Sequence, residues 1–109
     1  MIERITLTVG LTMNGTEGPT IPEAEALAFL LARMTAEGLE YGSAVRGLGI
    51  YQGETEGSLA LSVIAEGAEP IGATWDRMER IGSEYCRAFE QHSAMLTAEP
   101  IARWTFPEA

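Results

Sequence analysis

The chain is 109 residues long, 46% hydrophobic and 21% charged, the size and balance of one folded domain over 1–109 that needs no metal or disulfide to hold a core. Fifteen Glu and a lone Asp76 stand against seven Arg and no Lys, a net charge of −9 that repels nucleic acid and anionic lipid and argues against direct binding to either. The single cysteine, Cys86, excludes an intrachain disulfide framework and a multi-cysteine metal site. No apolar run reaches the roughly 18 residues of a membrane span, and Met1-Ile2-Glu3-Arg4 carries no secretory signature, so the expected location is cytoplasmic.

Residues 5–11 alternate, with Ile5, Leu7, Val9 and Leu11 on one side and Thr6, Thr8 and Gly10 on the other, the period-two pattern of a half-buried strand. Asn14-Gly15 and Gly18 mark 13–18 as loop. Thr20-Ile21-Pro22-Glu23 has the form of a capping box, with Thr20 offering its oxygen to free amides and Glu23 reaching back. Pro22 falls where the first helical turn needs no donor. Leu27, Leu30, Leu31 and Met34 follow at helical spacing, with Leu31 expected to face a sheet, and Gly38 is placed to end the helix.

A second strand is expected over 41–52, with Val45, Leu48, Ile50 and Tyr51 as its apolar content. The acidic run Gly53-Glu54-Thr55-Glu56-Gly57 reads as a five-residue turn into a third strand, Ser58–Ala65. There Leu59, Leu61 and Val63 alternate with Ala60, Ser62 and Ile64. Residues 66–72 read as loop. A second helix is expected from Thr74 to His92, with Trp75, Met78, Ile81, Tyr85, Ala88, Phe89 and His92 on one stripe. From Ala94 the chain reads as extended, broken at Pro100 and resuming over Ile101–Phe106, where Trp104 and Phe106 belong to core or interface.

The order β-α-β-β-α-β is that of a ferredoxin-like split βαβ fold, an α+β arrangement with two helices on one face of a four-stranded antiparallel sheet. Right-handed crossovers fix the spatial order 4-1-3-2. In this topology the 13–18 loop, the 53–57 hairpin tip and the turn after the second helix share one end. Glu17, Glu23, Glu25, Glu54, Glu56 and Glu90 gather there, with no Arg expected among them.

Four short segments carry a family resemblance: Val9-Gly10-Leu11, the Glu23-Ala24-Glu25 helix start, the glycines at 47, 49 and 53, and Glu90-Gln91-His92-Ser93. In this layout the chain resembles a family of small α+β proteins from actinobacteria and their phages. The resemblance implies the fold just described and brings no activity with it.

No residue set has catalytic, cofactor-binding or metal-ligating spacing. His92, the single histidine, reads as a helix-end residue favoured by the C-terminal dipole. Cys86, with Glu84, Arg87 and Glu90 nearby in sequence, reads as a small buried or half-buried residue. The pairs Glu23/Glu25 and Glu54/Glu56 read as solvated surface, since hard cations demand several convergent oxygens and no EF-hand-like loop is present. No Walker A, Rossmann or nucleophile-elbow motif occurs.

The charge layout therefore points to a non-enzymatic binding protein: an acidic inhibitor, of phage or mobile-element kind, that imitates nucleic acid. Its partner would be a basic surface in a nucleic-acid-binding defence complex, met through Glu17, Glu23, Glu25, Glu54, Glu56 and Glu90. The alternative is a homodimeric domain that binds or converts a small molecule. There the open sheet face, made partly apolar by Val45, Tyr51, Ala60 and Ile64, would take a second subunit or a ligand.

Overall fold

A computed structural model describes residues 2–12, 18–51, 53–66, 72–103, 105 and 107–108, with the Tyr51 side chain excepted. The elements are β1 (Glu3–Gly10), α1 (Glu23–Ala36), β2 (Ser43–Tyr51), β3 (Glu54–Ala65), α2 (Ala73–Ala88) and β4 (Met95–Pro100). All three strand pairings are antiparallel, and the sheet order β2-β3-β1-β4 is the expected ferredoxin-like one. No described helix is long and apolar enough to cross a membrane.

The alternation of β1 does what its sequence period requires. Ile5, Leu7 and Val9 are buried, as are Leu59, Leu61 and Val63 opposite them in β3. Both sets pack against Ala26, Leu30 and Met34 of α1 and Met78, Ile81 and Tyr85 of α2 in one core. Gly82 lets α2 approach this layer closely, because a Cβ there would stand 2.9 Å from Leu7 Cδ1. Two ion pairs tie the helices together at their edges, Arg33 Nε to Glu84 Oε2 at 2.6 Å and Arg80 Nη2 to Glu37 Oε1 at 2.8 Å. The hydrogen bond from Arg80 holds the Glu37 carboxyl below its ordinary 4.5.

Several local expectations are corrected. Thr20 is held extended by a bridge to Thr12, so α1 begins at Glu23 behind Pro22 with no side-chain cap bond. The capping box does not form, and Glu23 turns instead to Arg46. The buried stripe of α1 runs through Ala26, Leu30 and Met34 at four-residue steps, and Leu31, about 100° further round the helix, is 51% exposed. Gly38 does end this helix, at φ 76°, with Leu39 N–H donating to Met34 O at 2.9 Å.

Residues 54–57 are strand, not turn. The register Leu48↔Gly57, Gly49↔Glu56, Ile50↔Thr55 and Tyr51↔Glu54 carries the β2–β3 pairing past Gly10↔Ser58, where the ladder between β1 and β3 ends. The hairpin is thus an arm that outreaches the rest of the sheet. α2 stops at Ala88, four residues short of His92, because Glu90 takes a left-handed φ of 52° and Gln91 N–H closes on Cys86 O at 2.9 Å. The loop expected at 13–18 lies outside the described residues except for Gly18, and so do positions 67–71, Trp104 and Phe106.

Candidate functional site

Three separate segments converge where β1 ends. Phe29 of α1 and Tyr85 and Phe89 at the end of α2 form an aromatic group, with ring centroids 4.6–6.1 Å apart. Packed this way, Tyr85 aims its hydroxyl at the backbone and donates to Gly10 O at 2.7 Å. Burial, and then charge on Cys86 and Glu56, raise its phenol above the ordinary 10.0, so Tyr85 is a fixed neutral donor. The turn that follows α2 brings back Gln91, whose amide Nε2 donates to Thr12 O.

Glu56 reaches the same point from the β3 arm. A methyl group built on Gly10 would lie 2.7 Å from Gln91 Oε1 and 2.9 and 3.1 Å from the two Glu56 carboxylate oxygens. These three acceptors therefore meet over a position that only a residue without a Cβ leaves open. Among the described residues, the Tyr85 and Gln91 donors are already used on main-chain carbonyls, Tyr85 on Gly10 and Gln91 on Thr12. Glu56 Oε2 is buried and has no hydrogen-bond partner among the described residues. A buried acceptor left this way costs about 1–3 kcal/mol, and native structures keep few of them without a reason. Such a centre has the electrostatics to receive a cation or a donor-bearing ligand.

Gln91 also lines a cleft of about 500 Å³ between α2 and β4, within the range of small-molecule sites. Leu7, Gly82, Ala94 and Leu96 contribute its apolar surface, and Glu79, Ser83, Cys86, Arg87, His92 and Ser93 its polar one. Burial pushes the Cys86 thiol up, with the Arg87 guanidinium opposing, so the thiol faces this cleft in its neutral form. No group of three or more His, Cys, Asp or Glu able to hold a metal occurs among the described residues.

Of the six acidic residues of the expected binding end, the five described ones stand in different surroundings. Glu23 is paired with Arg46 Nε at 3.1 Å, which places an arginine at an end expected to have none. Glu25 is exposed on the first turn of α1, Glu54 is exposed near the tip of the arm, and Glu90 is exposed just after α2. Glu17 lies outside the described residues. Glu56 alone of the five described reaches the Gly10 centre. Gly10, Tyr85 and Gln91 were not among the expected site residues, because their approach depends on the β1–β3 register and on where α2 stops.

Compared by sequence, the chain matches no protein-family model and no curated protein. By structure it is similar to a phage SAM lyase in complex with S-methyl-5′-thioadenosine, with a TM-score of 0.76, 20% identity, and coverage of 90% of this chain and 80% of that one. It is similar also to a phage SAM lyase in its apo state, with a TM-score of 0.75, 23% identity, and coverage of 89% and 78%.

Two expectations are corrected by these neighbours. A chain of this fold without a recognisable catalytic motif was expected to be a non-enzyme, yet the neighbours that share the fold over most of their length are an enzyme. The acidic inhibitor that imitates nucleic-acid charge is likewise overturned, since the neighbours act on a small molecule. The resemblance drawn from the sequence is met in its fold, and the neighbours that share this fold are phage proteins. What this chain shares with the phage SAM lyase is an α+β architecture of four antiparallel strands and two helices.

Proposed function

We propose that the chain binds and converts a cationic small molecule, a sulfonium compound of the SAM (S-adenosylmethionine) type, with Glu56 at the charged centre. The observation that carries this reading is the buried Glu56 Oε2 without a hydrogen-bond partner among the described residues, held against Gly10 beside a second acceptor, Gln91 Oε1. A sulfonium centre offers positive charge without a proton to donate, and it is satisfied by oxygens arranged around it. With its ammonium and carboxylate groups the whole SAM molecule carries a net charge near +1. A chain at −9 attracts such a ligand over distances of the Debye length, about 8–10 Å at physiological salt.

The cleft between α2 and β4 supports the same reading, because Gln91 belongs to both and Leu7, Ala94 and Leu96 offer surface for an apolar ligand body. Tyr85 is neutral and committed to Gly10 O, which leaves Glu56 as the ionisable side chain at this point able to take up a proton. When that carboxylate takes a proton from the carbon next to the one bonded to sulfur, a carbon–carbon double bond forms, the carbon–sulfur electron pair leaves on sulfur, and the sulfonium becomes a neutral thioether no longer held by charge. The test is to incubate the purified chain with SAM and follow S-methyl-5′-thioadenosine by liquid chromatography. Release by the wild type that drops at least 100-fold in Glu56→Gln is the expected result. Wild-type release no faster than in buffer would remove the reading.

A further inference from the structure

We infer that Arg87 is the carboxylate-binding residue of the cleft between α2 and β4, so that the ligand of this chain is a sulfonium compound bearing a free carboxylate. The inference rests on the reading of Glu56 as the charged centre and concerns the other end of the molecule held there.

Acids outnumber bases by sixteen to seven in this chain, and they take up arginines around the fold: Glu99 pairs with Arg4, Glu84 with Arg33, Glu23 with Arg46 and Glu37 with Arg80. Among the described residues Arg87 enters no such pair. Glu84, one turn back on α2, is drawn to Arg33 at 2.6 Å. A place in the last turn of α2 suits any cation, but Arg87 is also a wall of the 500 Å³ cleft, beside the Cys86 thiol on which its charge acts. A guanidinium presents a planar fork of donors that matches a carboxylate with two parallel hydrogen bonds. Ser83 and Ser93 line the same cleft with hydroxyl groups.

The cleft is polarised along α2. Its acidic wall, Glu79, lies eight residues before Arg87, about 12 Å back along the helix axis. A carboxylate is repelled at the Glu79 end and drawn to the Arg87 end. The Arg87 end is also the one that closes on Gln91, which lines the cleft and stands over Gly10 with Glu56. In SAM a short aliphatic chain joins sulfonium and carboxylate, so the two charges cannot part to opposite ends of the cleft. A sulfonium seated between Glu56 and Gln91 therefore turns its carboxylate toward Arg87. The carbon that gives up a proton to Glu56 lies between the two charges, and a carboxylate fixed on Arg87 holds that carbon in place.

Calorimetric titration of the full chain with SAM and with decarboxylated SAM, which keeps the sulfonium and the ammonium but lacks the carboxylate, tests this. Charge alone favours the decarboxylated compound, because it brings one more net positive charge to a chain at −9. The inference requires the opposite order. SAM is expected to bind the wild type at least tenfold more tightly, with the preference lost in Arg87→Gln and restored in part by Arg87→Lys. Arg87 is exposed, so both variants are expected to keep the far-UV circular dichroism of the wild type. Decarboxylated SAM bound as tightly as SAM by the wild type, or a preference for SAM that survives Arg87→Gln, would overturn the inference and leave the reading of Glu56 standing. Binding of neither compound would overturn both.

Discussion

The Tyr85 hydroxyl donates to the Gly10 carbonyl at 2.7 Å, and through this bond the last turn of α2 is tied to the end of β1 where Glu56 and Gln91 meet. The bond joins positions 75 residues apart and is supported by the ring contacts of Tyr85 with Phe29 and Phe89. Tyr85→Phe keeps those rings and orphans one carbonyl. It is expected to lower unfolding free energy by about 1–3 kcal/mol, measured by urea denaturation.

The same burial predicts an alkaline limit. Desolvation first, and charge on Cys86 and Glu56 after it, raise the folded phenol above 10.0. A group whose pKa is higher folded than unfolded contributes stability that is complete below its unfolded value and is lost as pH rises toward the folded one. Stability is thus expected to fall as pH climbs above 10, and less steeply in Tyr85→Phe. Ultraviolet titration of phenolate checks this, with one tyrosine expected to ionise later than 10 or together with unfolding.

Gly10 separates the site from the fold. A Cβ there meets Gln91 Oε1 at 2.7 Å and Glu56 Oε1 at 2.9 Å, both at the ends of flexible side chains that can swing aside. Gly10→Ala is expected to change stability by no more than about 1 kcal/mol while weakening ligand binding at least tenfold. Comparing melting temperature with calorimetric affinity in this one variant distinguishes a site role from a structural one.

The core makes the opposite prediction at two positions. At Gly82 a Cβ would stand 2.9 Å from Leu7 Cδ1 in the packed layer, so Gly82→Ala is expected to cost about 1–3 kcal/mol from overpacking despite the better helix propensity of alanine. Leu30 is fully buried whereas Leu31 is half exposed. Leu30→Ala is accordingly expected to cost about 2–5 kcal/mol and Leu31→Ala less than about 1 kcal/mol, both read by denaturant unfolding.

The architecture was legible because two periods dominate the sequence. The alternation from Ile5 to Leu11 and the helical spacing through Leu30 and Met34 place the core, and Gly38 marks its helix end without tertiary help. The segment 54–57 was not legible, since glycines bounding an acidic run are turn chemistry, and only the register against Leu48, Gly49 and Ile50 makes it strand. That same shift decides the site. Glu56 was singled out as displayed charge, but as part of the arm it points a carboxylate oxygen into a buried position. Its companions Gly10, Tyr85 and Gln91 carry no local motif. Their convergence depends on one β-register and one left-handed residue, Glu90.

The central claim is that the acceptors around Gly10 hold a positive charge. Calorimetric titration with SAM and with S-adenosylhomocysteine, which replaces the sulfonium by a neutral thioether, tests it most directly. SAM is expected to bind the wild type at least tenfold more tightly than the thioether, with that preference lost in Glu56→Gln. Equal affinity for the two compounds in the wild type, or a preference that survives Glu56→Gln, would contradict the account.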